Sequence, residues 1–109
     1  MATAKPQIVI CTYRVKPGRE KAFRRLLARH WPMLKRLGLV TAAPRLALRA
    51  LAKERRSDFV EVFAWKPRAF QRAHTMPEVL AIWEPMEKLC EARDGLPAME
   101  FPHFEPVAR

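Results

Sequence analysis

Cysteine is scarce in this chain of 109 residues. Cys11 and Cys90 are the only two, with no CxxC spacing and no histidine partner, which excludes a disulfide framework and reads as a pair of buried thiols in a reducing compartment. Long apolar runs are missing as well: nothing approaches the roughly 20 residues a membrane span needs, and the leading MATAKPQ has no apolar signal core. A cytoplasmic location with no membrane contact is therefore expected. No internal repeat or low-complexity tract appears. Acidic residues are nearly absent from the first half. Positions 1–56 hold 15 Lys or Arg against Glu20 and Glu54, whereas positions 57–109 hold six against nine Asp or Glu. The excess could draw nucleic acid, an anionic lipid surface or an acidic ligand. The preferred reading is a solvated helix face that meets Glu84, Glu87 and Glu91 of its own fold or of a partner.

What the chain does have is concentrated between Ser57 and Glu87, SDFVEVFAWKPRAFQRAHTMPEVLAIWEPME. Phe59, Val60, Val62, Phe63, Ala64 and Trp65 are apolar on both parities of an extended run that only Glu61 interrupts, which predicts a strand covered on both faces. Lys66-Pro67 ends it, and a short helical segment follows through His74. Thr75 with Glu78 three residues on has the form of a capping box. A further helix is thus expected from Met76, with Met76, Val79, Leu80, Trp83 and Cys90 on one face and a kink at Pro85.

Upstream, Ile8 to Val15 is a second strand of the two-faced kind, ended by Lys16-Pro17-Gly18. Phe23, Leu26, Leu27, His30 and Leu34 then mark the inward face of a long amphipathic helix, kinked or divided by Pro32 and stopped at Gly38. Leu46 to Ala52 reads as a strand because a hairpin across KERRS would pair it with the Phe59 strand. Met99 to Phe104 reads as a last strand, irregular or at an edge because of Pro102. The order is βαββαβ, a ferredoxin-like α+β fold forming one domain over 1–109 with its core at about 8–104. Two helices cover only one face of an antiparallel sheet, yet two strands are apolar on both. The second face implies a homodimer with sheets packed face to face.

The runs VKPGREKAF and VFAWKPRAFQRAHTMPEV resemble the antibiotic biosynthesis monooxygenase family of dimeric α/β barrels, over roughly residues 8 to 104. That family includes cofactor-free oxygenases of polyphenols, haem-degrading enzymes, signal-related proteins and many of unknown activity. The haem-degrading members use a strand Asn, a helix Trp and an iron-binding His ten residues later. This chain has no asparagine, and those helix positions fall near Ala73 or His74 and near Trp83, which argues against haem degradation. The resemblance thus implies a homodimer that binds a small aromatic ligand, with no cofactor. It places His74 at the helix break facing the pocket, where a neutral imidazole could take a phenolic proton. The alternative for His74 is a hydrogen bond to the broken helix end.

Trp65, Trp31, Trp83 and Phe70 are candidates for an aromatic pocket or for ordinary core. Tyr13, the only tyrosine, could orient a substrate hydroxyl, or pack at a surface or dimer contact. Arg49, alone in an apolar strand, is expected to pair with Glu61 across the hairpin, or else to anchor an anionic ligand. His30, His74 and His103 share no ligand spacing, so no metal site is expected. Two rivals to an oxygenase stand. One is a non-catalytic binding or accessory protein of the same fold. The other is an RNA-recognition domain, with DFVEVF as a faint aromatic strand motif and the basic first half in its favour.

Overall fold

A computed structural model describes residues 5–108. Strand β1 (Gln7–Arg14) pairs antiparallel with β3 (Asp58–Trp65), opposing Tyr13 to Phe59, Cys11 to Glu61 and Val9 to Phe63. Strand β2 (Val40–Arg49) pairs with the other edge of β3, and two short pieces, β4 (Met99–Glu100) and β5 (His103–Phe104), pair with β1. The sheet order β2-β3-β1-β4, with helices on one face, is the ferredoxin-like arrangement.

Side-chain alternation sorts each central strand into two faces. Val9, Cys11 and Tyr13 of β1 and Phe59, Glu61, Phe63 and Trp65 of β3 are all buried on the helix side. Ile8, Ile10 and Thr12, with Val60 and Val62, occupy the other side and are only half-buried, and on β2 Leu46 and Leu48 are 52% and 50% exposed. Among the described residues no helix covers this second face.

Helix α1 (Glu20–Arg36) runs without interruption through Pro32, so the expected division does not occur. Its end is a Schellman motif: Gly38 takes a positive φ of 75°, its N–H reaches the Lys35 carbonyl, and the Leu39 N–H reaches that of Leu34. Lys35 and Arg36 in the last turn complement the helix dipole. None of the basic side chains of α1 pairs with Glu84, Glu87 or Glu91 among the described residues; Glu91 lies 3.8 Å from Arg93 instead. The basic face is therefore open to solvent.

Strand β2 begins six residues before its predicted start. Its first part carries an irregularity between Val40 and Arg45, where the Ala43–Pro44 peptide is cis, and an edge strand tolerates such a break. After β3 come α2 (Ala69–Ala73) and α3 (Pro77–Lys88). The capping box does not form. Pro77 opens α3 and Met76 is the extended residue before it, which leaves Thr75 one position too early; its hydroxyl instead donates to the Arg72 carbonyl at the end of α2, 2.8 Å away. Helix α3 continues through Pro85. The last strand is split at Phe101-Pro102, with the Pro102 carbonyl still accepting from the Ile10 N–H.

Candidate functional site

A cavity of about 630 Å³ lies between the helix face of the sheet and α3. Its floor is supplied by Cys11, Tyr13, Phe63 and Trp65, one wall by His30 of α1 and Trp83 of α3, and its mouth by Phe70, His74 and His103. Five sequence candidates therefore meet there: Tyr13, Trp65, Phe70, His74 and Trp83. The rings of Trp65, Phe70, His74 and Trp83 contact edge to face, Trp65 with Trp83 at 6.2 Å between centroids, and Phe70 held between His74 at 4.7 Å and His103 at 4.8 Å.

At the inner end, four side chains form a continuous hydrogen-bonded chain. The Tyr13 hydroxyl donates to Glu61 Oε1 at 2.8 Å, and His30 Nδ1 lies 2.9 and 3.1 Å from the two Glu61 oxygens. The Trp83 indole N–H donates to His30 Nε2 at 2.9 Å. An indole nitrogen can only donate, so Nε2 carries no proton; Nδ1 must then carry one and donate it to the carboxylate. His30 is thereby fixed as the neutral Nδ1–H tautomer. The three inner members are almost fully enclosed, Tyr13 at 1%, His30 at 2% and Glu61 at 3% exposure.

No protein-family model matches the sequence, and neither does any curated protein. Solved structures do. SnoaB, a cofactor-independent oxygenase from Streptomyces nogalater, aligns over 97% of this chain and 97% of its own, at 20% identity and a TM-score of 0.72. PA3566 from Pseudomonas aeruginosa aligns over 99% and 100%, at 14% identity and a TM-score of 0.71. A proposed antibiotic biosynthesis monooxygenase from Nitrosomonas europaea aligns over 98% and 95%, at 14% identity and a TM-score of 0.73. The chain has the fold of antibiotic biosynthesis monooxygenase-like proteins. At these identities the likeness shows the fold alone, and the chemistry of this site must come from its own residues.

Within that monooxygenase-like fold, two sequence candidates lie elsewhere. Trp31 and Arg49 line a second recess of about 560 Å³ between α1 and β2, where Arg45 stacks over the Trp31 ring at 4.1 Å. Arg49 does not pair with Glu61. The hairpin register sets Arg49 opposite Phe59 and Ala47 opposite Glu61, and the Arg49 Nε–H donates to the Arg56 carbonyl while its guanidinium lies over the Phe59 ring. Tyr13 is neither at the surface nor on the open sheet face. His74 is exposed, and the end of α2 is met by the Thr75 hydroxyl and not by the His74 side chain.

The RNA-binding reading loses its structural basis, since the aromatic side chains of β1 and β3 are turned towards the helices and not towards the open sheet face where bases would stack. Among the described residues no three His, Cys, Asp or Glu side chains are grouped to hold a metal ion, and no helix is long and apolar enough to cross a membrane. His30 and Glu61 are the members of this hydrogen-bonded chain that the sequence does not single out for the pocket, though each carries a signal: a histidine on an apolar helix stripe and the one charge in an apolar strand.

The site holds its other acids neutral. Burial first, and then the negative charge of Glu61, push the Cys11 thiol and the Tyr13 phenol well above their ordinary values, so Cys11 is no nucleophile and Tyr13 is a donor, not a base. Burial pushes Cys90 up to about 11. These folded-state values lie above the unfolded ones, 9.0 for each thiol and 10.0 for the phenol. Stability is therefore complete below those ordinary values and falls as pH rises past them, because the unfolded chain releases its protons first. Urea midpoints at neutral and alkaline pH check this; the expected result is a lower midpoint on the alkaline side, lessened by replacing Cys90 with Ala.

Proposed function

We propose that this protein belongs to the antibiotic biosynthesis monooxygenase-like family and that its cavity binds a small planar phenol, which it oxidises with dioxygen without a cofactor. The observation that carries the reading is the enclosed Tyr13–Glu61–His30–Trp83 chain at the end of an aromatic-lined cavity. Rings in the walls suit a flat apolar ligand, and a neutral imidazole backed by a carboxylate suits the removal of a phenolic proton. A phenolate is electron-rich enough to reduce dioxygen: one oxygen atom enters the ring, the other leaves as water, and the phenol becomes a quinone. The Trp65 indole N–H, buried without an acceptor among the described residues, offers a donor to a ligand oxygen. SnoaB, named a cofactor-independent oxygenase, supports this reading by its fold.

The working form in this proposal is a cytoplasmic homodimer. Ile8, Ile10, Val60 and Val62, with Leu46 and Leu48 half-exposed beside them, form an apolar sheet face with no cover, and a second copy packed face to face would bury both. One observation favours a second reading, a ligand-binding or accessory protein without catalysis: the Trp83 N–H occupies the one acceptor on His30. An oxygen electrode separates the two. With naphthols and hydroquinones as substrates, the expected result is oxygen uptake matched to quinone appearing in the product; ligand binding with no uptake above the buffer rate supports the accessory reading instead.

A further inference from the structure

We propose that His30 is the proton acceptor of this cavity, that Glu61 positions it, and that Trp83 is a removable cap on its reactive nitrogen. This rests on the reading above that the cavity takes a phenol. Each part follows from the hydrogen-bond chain. Glu61 holds Nδ1–H at 2.9 and 3.1 Å, which orients the ring and directs Nε2 away from the sheet. A proton arriving at Nε2 turns this contact into an ion pair inside the fold, so the carboxylate stabilises the imidazolium it helps to form. The Tyr13 hydroxyl, donating to the same carboxylate at 2.8 Å, keeps Glu61 in place.

Trp83 is what stands between His30 and a ligand. Its ring lines the cavity, is only part-buried, and has no polar anchor other than the 2.9 Å bond to Nε2 among the described residues. A phenolic hydroxyl that takes the place of the indole N–H meets the same lone pair. The O–H bond then breaks, an N–H bond forms at Nε2, and the electron pair stays on the phenolic oxygen. His74 lacks these features. It is exposed, bonds to no carboxylate among the described residues, and packs edge to face on Trp83 at 5.0 Å, which makes it part of the wall that the cap swings against.

The test uses the full chain labelled with 15N-histidine and the probe 4-nitrophenol, whose phenolate absorbs visible light. Long-range 1H–15N spectra report which ring nitrogen of His30 holds the proton. The expected result is the Nδ1–H tautomer in the free protein, and an imidazolium together with the phenolate band once the probe is bound. Trp83→Phe, which removes the donor and keeps a ring, is expected to bind the probe roughly fivefold tighter, the factor one ordinary hydrogen bond is worth. His30→Gln should bind it without the band. A bound probe that leaves His30 neutral, or a phenolate band of equal strength in His30→Gln, overturns the proposal while the cavity reading survives. A probe that neither binds nor shifts the Trp65 and Trp83 signals overturns both. The wild-type tautomer is read without any variant, so poor folding of His30→Gln leaves that arm decisive.

Discussion

Replacing Glu61 with Ala is expected to lower the unfolding free energy by about 3–5 kcal/mol, since it strands two enclosed donors, the His30 Nδ1–H and the Tyr13 hydroxyl, and opens a void beneath them. At roughly 4 °C per kcal/mol for a domain of this size, the melting temperature should fall by about 12–20 °C. Glu61→Gln keeps the volume and one acceptor, but its amide N–H₂ then faces a donor, so it should lose about half as much. The informative comparison is the triple replacement Tyr13→Phe, His30→Phe, Glu61→Leu. Apolar groups in place of the three enclosed members leave only the Trp83 N–H without its acceptor, on a part-buried ring that lines the cavity, and stability should return to near the wild-type value. If it does, the polar chain is not required for folding, and its presence on a cavity wall must be explained by what it does there. Thermal unfolding followed by circular dichroism measures all three proteins, and a Glu61→Ala variant as stable as wild type would mean that His30 and Tyr13 have other partners.

Val62→Glu is expected to turn a dimer into a monomer. Val62 lies at the centre of the open sheet face, opposite Ile10 on β1 and Leu46 on β2, and points away from the cavity. In a two-fold dimer each copy would bury its own carboxylate against an apolar sheet, and the two charges would lie near each other. An association weakened by at least about a thousandfold, about 4 kcal/mol, is the expected size of the effect. The fold of each copy should survive, because Val62 is only half-buried within the chain and no helix packs on it. Sedimentation velocity decides: a wild-type dimer and a Val62→Glu monomer with unchanged circular dichroism support the covered sheet, and a wild-type monomer refutes it.

Periodicity made most of the fold legible because its signals are local. Phe23, Leu27, His30 and Leu34 mark the stripe by which α1 packs, and all four are buried. Gly38 ends that helix with the geometry its position implied. Where the reading failed, a non-local choice was involved. A symmetric hairpin across KERRS would set Arg49 within a residue of Glu61, which is why the sequence suggests the pair. The actual register is offset by two residues, and the parity of Glu61, shared with Phe59, Phe63 and Trp65, turns its carboxylate towards the helices.

Parity was thus visible, but not its consequence, because how far α1 slides along the sheet, and hence whether His30 reaches Glu61 from 31 residues away, is written in no local pattern. The start of β2 was hidden for a different reason. Pro44 and two alanines do not look like a strand, and only its place at the sheet edge lets it be one. Tyr13, Trp65, Phe70, His74 and Trp83 line one cavity whereas Trp31 lines the other recess, since a helix stripe alone does not say which neighbour each position meets.

Whether the cavity is the ligand site is read directly from the three tryptophan indole signals of a 15N-labelled sample. Trp65 and Trp83 line the cavity and Trp31 lines the second recess. Titrating 1-naphthol into the protein should shift the Trp65 and Trp83 signals together and leave that of Trp31 in place. A shift confined to Trp31, or no shift in any of the three at saturating ligand, would contradict it.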